Sequence, residues 1–300
     1  HADDGYAAGD RVLRDSLTGV GVTRISGILN GTCNFLLSEM LSSGRDYDQV
    51  LAEAQALGYA EADPTLDVSG ADAAQKAAIL AAIGFSADLD YSKVRVRGVE
   101  EVGLIDLRLA DRLGFRIKLI AESKVTSEGV VCRVAPTALP IGHPLAGVDG
   151  SLNMVRVEGD PVGAIVMSGP GAGAGPTASA VMGDISLLFA ADAGTPFGGA
   201  GHHERRSFVA PNDNEKASWF LRVRLLDQPG ALAKLSEALA AEDVSIDKLL
   251  QDSADDQGAS PVAIVTHPCA RANMDRATAR LKSLEASIDE ARLIRIDTGV

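Results

Sequence analysis

The densest group of reactive side chains lies in the stretch GYAEADPTLDVSGADAAQK, residues 58–76. Asp72 and Lys76 are four residues apart on a predicted helix, so they share one face. Glu61, Asp63 and Asp67 precede that helix, where a loop can fold them over its first turn. Carboxylates gathered around one lysine suit a cationic ammonium ligand. They also leave the lysine able to exchange a proton with a hydroxyl or carbonyl group. The same spacing describes a solvated helix start, with a surface ion pair and acids at the positive end of the helix dipole. Such patterns are common on helix surfaces, so spacing alone favours the solvated reading.

Three other stretches could bind ligands. Gly169, Gly171, Gly173 and Gly175 lie in GPGAGAG, between a predicted strand and a predicted helix, and fit the G-x-G-x-x-[GA] pattern of a phosphate-binding turn. The strands before it read as antiparallel, and no second strand ending in an acid follows at the usual distance. A dinucleotide turn and a plain tight turn therefore stand level. Asn30-Gly31-Thr32-Cys33-Asn34 marks a strand-to-helix corner that can present small polar donors or simply cap a helix. Asp227-Gln228-Pro229-Gly230 is a strand-to-helix turn whose helix start favours a carboxylate, or an ordinary connection. His202 and His203 adjoin in a glycine-rich stretch with no cysteine or spaced acid beside them, a weak metal pair, and no metal site is assigned.

Composition narrows the classes. A net charge of −13 repels phosphate backbones, which argues against a nucleic-acid partner. Hydrophobic residues make up 46% of the 300, enough for buried cores. No run of roughly eighteen apolar residues predicts a membrane span, and no basic, apolar leader is read at the start. Three cysteines, Cys33, Cys132 and Cys269, read as free thiols of a reducing, cytoplasmic compartment. The first residue is His1 rather than Met, which reads as a processed, trimmed or excised start.

Positioning these groups calls for two domains, given about 150 residues per domain. Residues 1–21 read as irregular, with a short helix near Arg11–Leu17. Residues 22–192 read as α+β, with strands at 22–29, 116–123, 129–135, 153–158 and 163–168 and helices at 33–41, 47–56, 71–85, 104–113 and 176–189. Residues 193–218, rich in glycine and proline, read as a linker. Residues 219–300 read βαββαβ, a ferredoxin-like sandwich.

Taken together, GILNGTCNF (27–35), EAQALGYAEADPTLDVSGADAAQKAAIL (53–80), IKLIAE (117–122), RVAPTALP (133–140) and GPGAGAGPTASAVMGD (169–184) resemble homoserine dehydrogenase in order and spacing, over roughly residues 11–190. Residues 219–297 resemble an ACT domain, an amino-acid-sensing module. The resemblance implies a mixed-sheet domain that binds substrate and dimerises, interconverting L-homoserine and L-aspartate 4-semialdehyde with NADP or NAD. It implies Glu61 and Asp72 as substrate-binding carboxylates, Lys76 in proton transfer, and Asp67, Tyr59 and Thr32 lining the same cleft. It puts the glycines from Gly169 to Gly175 on the cofactor side. Asp227 and Gly230 are assigned to a regulatory ligand, expected to be threonine. The family's N-terminal dinucleotide-binding domain, with its G-x-G-x-x-G turn and a second active-site lysine, is not read here, so little dehydrogenase activity is expected of these residues alone. The alternative is a non-catalytic amino-acid-binding and dimerisation protein derived from that enzyme.

Overall fold

A computed structural model describes residues 12–17, 20–189 and 205–299. They form two compact units. The first comprises His1–Leu104, Lys118–Pro136 and Gly147–Pro211, and the second Ile105–Ile117, Thr137–Ala146 and Asn212–Val300. His202 and His203 lie outside the described residues.

In the first unit a short helical segment over Val12–Ser16 precedes strand β1, Gly21–Ile28. Asn30 ends the strand and caps helix α1, Gly31–Ser43, which closes at a left-handed Gly44. Helix α2, Tyr47–Ala56, follows. The stretch expected as a plain loop contains one helical turn, α3, Thr65–Val68. Helix α4, Ala71–Phe85, is rich in alanine. Ala73, Ala74, Ala77, Ala78, Ala81 and Ala82 are all buried, and their small side chains let the helix lie close on β1.

Two-residue strands β2, Ala87–Asp88, and β3, Arg95–Val96, come next, and helix α5, Leu104–Arg112, follows them. Strands β4, Phe115–Val125, and β5, Val130–Pro140, are the longest. Strands β6, Leu152–Asp160, and β7, Gly163–Pro170, form a hairpin that leads into helix α6, Ala174–Leu188. The strand order is β5-β4-β1-β6-β7, with β1 antiparallel to both β4 and β6, and β6 antiparallel to β7. On its other edge β5 pairs in parallel with β3 and with strand β8, Arg206–Val209. The sheet is therefore mixed, as expected. The described part of the expected linker is not structureless: β8 sits in the sheet, and β9, Lys216–Ala217, pairs further along the chain.

The second unit holds β10, Trp219–Leu226, α7, Ala231–Ala240, β11, Ile246–Gln251, β12, Ala259–Thr266, β13, Cys269–Ala270, α8, Arg271–Lys282, and β14, Arg292–Ile296. The order β11-β12-β10-β14, all antiparallel, is that of a ferredoxin-like βαββαβ unit. Alternate residues Leu221, Val223 and Leu225 of β10 meet Leu235, Leu239, Met274 and Leu281 of the two helices in its core. The unit extends beyond residues 219–300, because β14 also pairs in parallel with Thr137 and Ala138 of β5. Arg222 of β10 holds the fully buried Asp106 of α5 at 2.7 Å. Strands β4 and β5 thus each give residues to both units. No helix among the described residues is long and apolar enough to cross a membrane.

Candidate active site

Four elements of the first unit bring the predicted cluster together. Asn30 sits in extended backbone at the start of α1, and its Oδ1 accepts from the backbone N–H of Cys33 at 2.8 Å. Its Nδ2 donates to Asp67 Oδ1 at 2.7 Å and to Asp72 Oδ2 at 2.8 Å. Lys76 Nζ, one turn after Asp72 on α4, donates to the same Oδ2 at 2.9 Å and to the carbonyl of Leu29 at 3.4 Å. Gly70 joins α3 to α4 with φ +79°, a left-handed geometry that glycine adopts without strain, and this corner swings Asp67 round to face Asp72. Thr32 is buried and donates to the carbonyl of Tyr59 at 2.7 Å. The Tyr59 ring is half exposed and packs on Phe35 at 5.0 Å.

Two of the acids behave differently from the rest. Glu61 is exposed on the rim, where its backbone carbonyl accepts from Gln55 and its carboxylate takes no part in these bonds. Asp63 is a local cap, its Oδ1 accepting from Thr65 Oγ1 at 2.6 Å and Thr65 N at 3.1 Å, and those bonds hold its pKa below the usual value. Asp67, Asp72, Lys76 and Thr32 are thus gathered, and Tyr59 joins through its backbone. Asn30 is the member that spacing identified only as a helix cap. The signal available was an asparagine at a strand-to-helix corner, which cannot reveal bonds to residues 37 and 42 positions away.

The electrostatics suit a cationic ligand. Burial raises the pKa of Asp67, opposed by the hydrogen bond from Asn30 and reinforced by the charge of Asp72. The Cys33 thiol donates to the carbonyl of Asp67 at 3.2 Å. Burial lifts its pKa well above the ordinary thiol value, with Asp67, Asp72 and Glu100 adding to the shift, so it is not a nucleophile. The Tyr47 phenol is pushed up to about 12, first by burial and then by its acidic neighbours.

The glycine turn follows an antiparallel hairpin, so it is not the βα turn of a parallel dinucleotide fold. Gly169 and Gly175 border open space, whereas a Cβ on Gly171 would come within 2.2 Å of the Asn153 side chain. Bare backbone is therefore exposed at Gly173 and Gly175, at the start of α6, while Gly171 is packed inward. In the second unit Asp227 and Gly230 are both exposed at the turn between β10 and α7, and Asp227 N donates to the carbonyl of Gly258 at 2.9 Å.

Comparison with known proteins identifies the family. The homoserine dehydrogenase family profile matches residues 11–186, and the ACT domain profile matches residues 219–286. A homoserine dehydrogenase of Neisseria gonorrhoeae is 38% identical over 96% of this chain and 68% of its own length. That of Mycobacterium tuberculosis is 39% identical over 97% of this chain and 68% of its own. The crystal structure of a homoserine dehydrogenase from Thiobacillus denitrificans superposes with a TM-score of 0.85 at 34% identity, over 99% of this chain and 68% of that one. A hyperthermophilic archaeal homoserine dehydrogenase mutant in complex with NADPH superposes with a TM-score of 0.51 at 30% identity, over 61% of this chain and 54% of that one. The chain belongs to the homoserine dehydrogenase family of nicotinamide-dependent oxidoreductases, with an ACT domain following the segment that carries the carboxylate–lysine cluster.

Proposed function

We propose that the chain interconverts L-homoserine and L-aspartate 4-semialdehyde, with NADP or NAD as hydride carrier. The observation that carries this reading is the Asp67–Asp72–Lys76 cluster, with both carboxylates on one amide and the lysine buried beside them. Asp67 and Asp72 take the substrate ammonium, and Glu61 on the rim meets it on entry. Lys76 lies within one hydrogen bond of Asp72, so a bound amino acid brings its terminal hydroxyl past the lysine. In the reducing direction Lys76 gives a proton to the aldehyde oxygen, and in the oxidising direction it removes the hydroxyl proton. Thr32 and Tyr59 shape the wall of this cleft. The nicotinamide ring supplies hydride acceptance or donation when bound. The turn that carries Gly169, Gly171, Gly173 and Gly175, exposed at Gly173 and Gly175, would hold its edge at the start of α6.

The remaining roles follow the same logic. Threonine is the proposed effector, its carboxylate held at the helix start beside Asp227 and Gly230. A second copy of the chain covers β7 and α6, a reading supported by the exposure of Val166, Met182, Ile185 and Leu188. Cys33, Cys132 and Cys269 are buried and unpaired, which suits a reducing cytoplasm.

The test is titration calorimetry with L-homoserine. The unaltered chain is expected to bind it and Asp72→Asn to bind it at least about tenfold more weakly, as loss of a charged hydrogen bond implies. Equal affinity in the two proteins, or no binding by the unaltered chain, removes the reading.

A further inference from the structure

We propose that Asn30 is a positioning residue that holds the Asp67 and Asp72 carboxylates side by side, so that together they form one seat for an ammonium group. This rests on the substrate reading above, but its geometry stands independently.

One nitrogen, Nδ2, donates to an oxygen of each carboxylate, at 2.7 and 2.8 Å. The two oxygens can be no farther apart than the sum of those lengths. Two carboxylates so close repel each other unless a donor lies between them. Asn30 is that donor, and its two amide hydrogens match the two acceptors one for one. Its other end fixes the direction of the amide. Oδ1 accepts from Cys33 N at 2.8 Å, so the oxygen faces the helix and the nitrogen faces the acids. Asn30 is 5% exposed, so its amide is largely shielded from water while the carboxylates stay partly open. Each carboxylate keeps a second oxygen that Asn30 does not occupy. Lys76 adds its own bond to Asp72 Oδ2, while Asp67 is held by the amide first and by the Thr32 hydroxyl and the Lys76 charge after it.

Asn30 therefore has two separable duties. As a helix cap it is replaceable, because serine caps about as well. As a bridge it is not, because a hydroxyl donates one hydrogen and reaches less far.

The charged and titratable groups that bear on the pair are Cys33 on α1, Tyr47 on α2, Asp72 and Lys76 on α4, and Glu100 before α5. The experiment follows the Asp67 carboxyl carbon by NMR titration in the full chain and in Asn30→Ser, alongside calorimetry with L-homoserine. In Asn30→Ser the thermal midpoint stays within a few degrees. The Asp67 carboxyl titration moves up, since loss of a donor to the charged form raises a pKa. Homoserine affinity falls about tenfold, and in an Asp67→Asn background the same change costs less than about twofold, because the effect runs through the carboxylate. An unmoved Asp67 titration in a folded Asn30→Ser chain overturns the proposal and leaves a cap alone. Should that variant fail to fold, the side-chain amide signal of Asn30 in the unaltered chain decides. A shift that tracks the Asp67 carboxyl titration supports the bridge, and a flat signal overturns it. A moved Asp67 titration in a chain that takes up no homoserine upholds the bridge and removes the substrate reading.

Discussion

Asp72 and Lys76 sit one helical turn apart, yet their removal should act on the substrate in opposite directions. Lys76→Met frees Asp72 from its cation, so homoserine affinity is expected to hold or tighten in calorimetry, while turnover followed by nicotinamide absorbance falls by about 10²-fold or more. Asp67 shows a different conflict. Its folded pKa is raised above 3.8, chiefly by burial, so the folded chain holds that proton more tightly than the unfolded one. Its contribution to stability is complete below pH 3.8 and is lost as pH rises through the raised value. Asp67→Asn is expected to raise the thermal midpoint at neutral pH while weakening homoserine binding, a trade of stability for function. The Asp72–Lys76 pair was legible because four-residue spacing on a helix is a local rule. Asp67 needed the Gly70 corner to arrive, and Glu61, expected beside Asp72 as a substrate-binding carboxylate, is exposed. The double duty of Asn30 depends on contacts across the fold, which no local pattern encodes.

Among the elements, ion pairs of similar length differ in value because of burial. Two pairs from helix α5 show this, Asp106 with Arg222 at 2.7 Å and Arg112 with Asp252 at 2.8 Å. The first is buried, so Asp106→Asn is expected to cost about 3–5 kcal/mol in denaturant unfolding. The second is exposed, so Asp252→Asn should cost under about 1 kcal/mol and less still at high salt. The sheet of the first unit holds a comparable knot. Glu122 of β4 accepts from Arg24 of β1 at 2.9 Å and from Arg133 of β5 at 2.6 Å. Burial pulls its pKa upward, but Arg133 and Arg24 outweigh that and bring it below 4.5. Its stabilisation is therefore present above pH 4.5 and lost as pH falls through the lowered value. Glu122→Gln should flatten this part of the acid-unfolding curve and cost about 3 kcal/mol at neutral pH. Most long elements were readable, since α4 repeats its alanines at helical spacing and β10 alternates cleanly. Strands β2, β3 and β8 were not, because two to four residues are too few to establish a period, and they pair in parallel with distant partners.

For the whole molecule, the apolar side chains on β7 and α6 bear on assembly. Met182 is 58% exposed and Leu188 75%. Met182→Glu together with Ile185→Glu is expected to convert the proposed dimer to a monomer in analytical ultracentrifugation with little change in helix content, since neither residue lies in the core. The ferredoxin-like order was legible from βαββαβ alone, whereas the true extent of its unit was not. Residues 105–117 and 137–146 belong to it through pairings and a buried charge that sequence order conceals. A gene shortened at residue 218 would strip the partner strand from Thr137 and Ala138 and strand a carboxylate at Asp106 in an oily interior. Variants that lose the proposed threonine response are therefore to be sought by exchanging side chains around Asp227, not by trimming the tail.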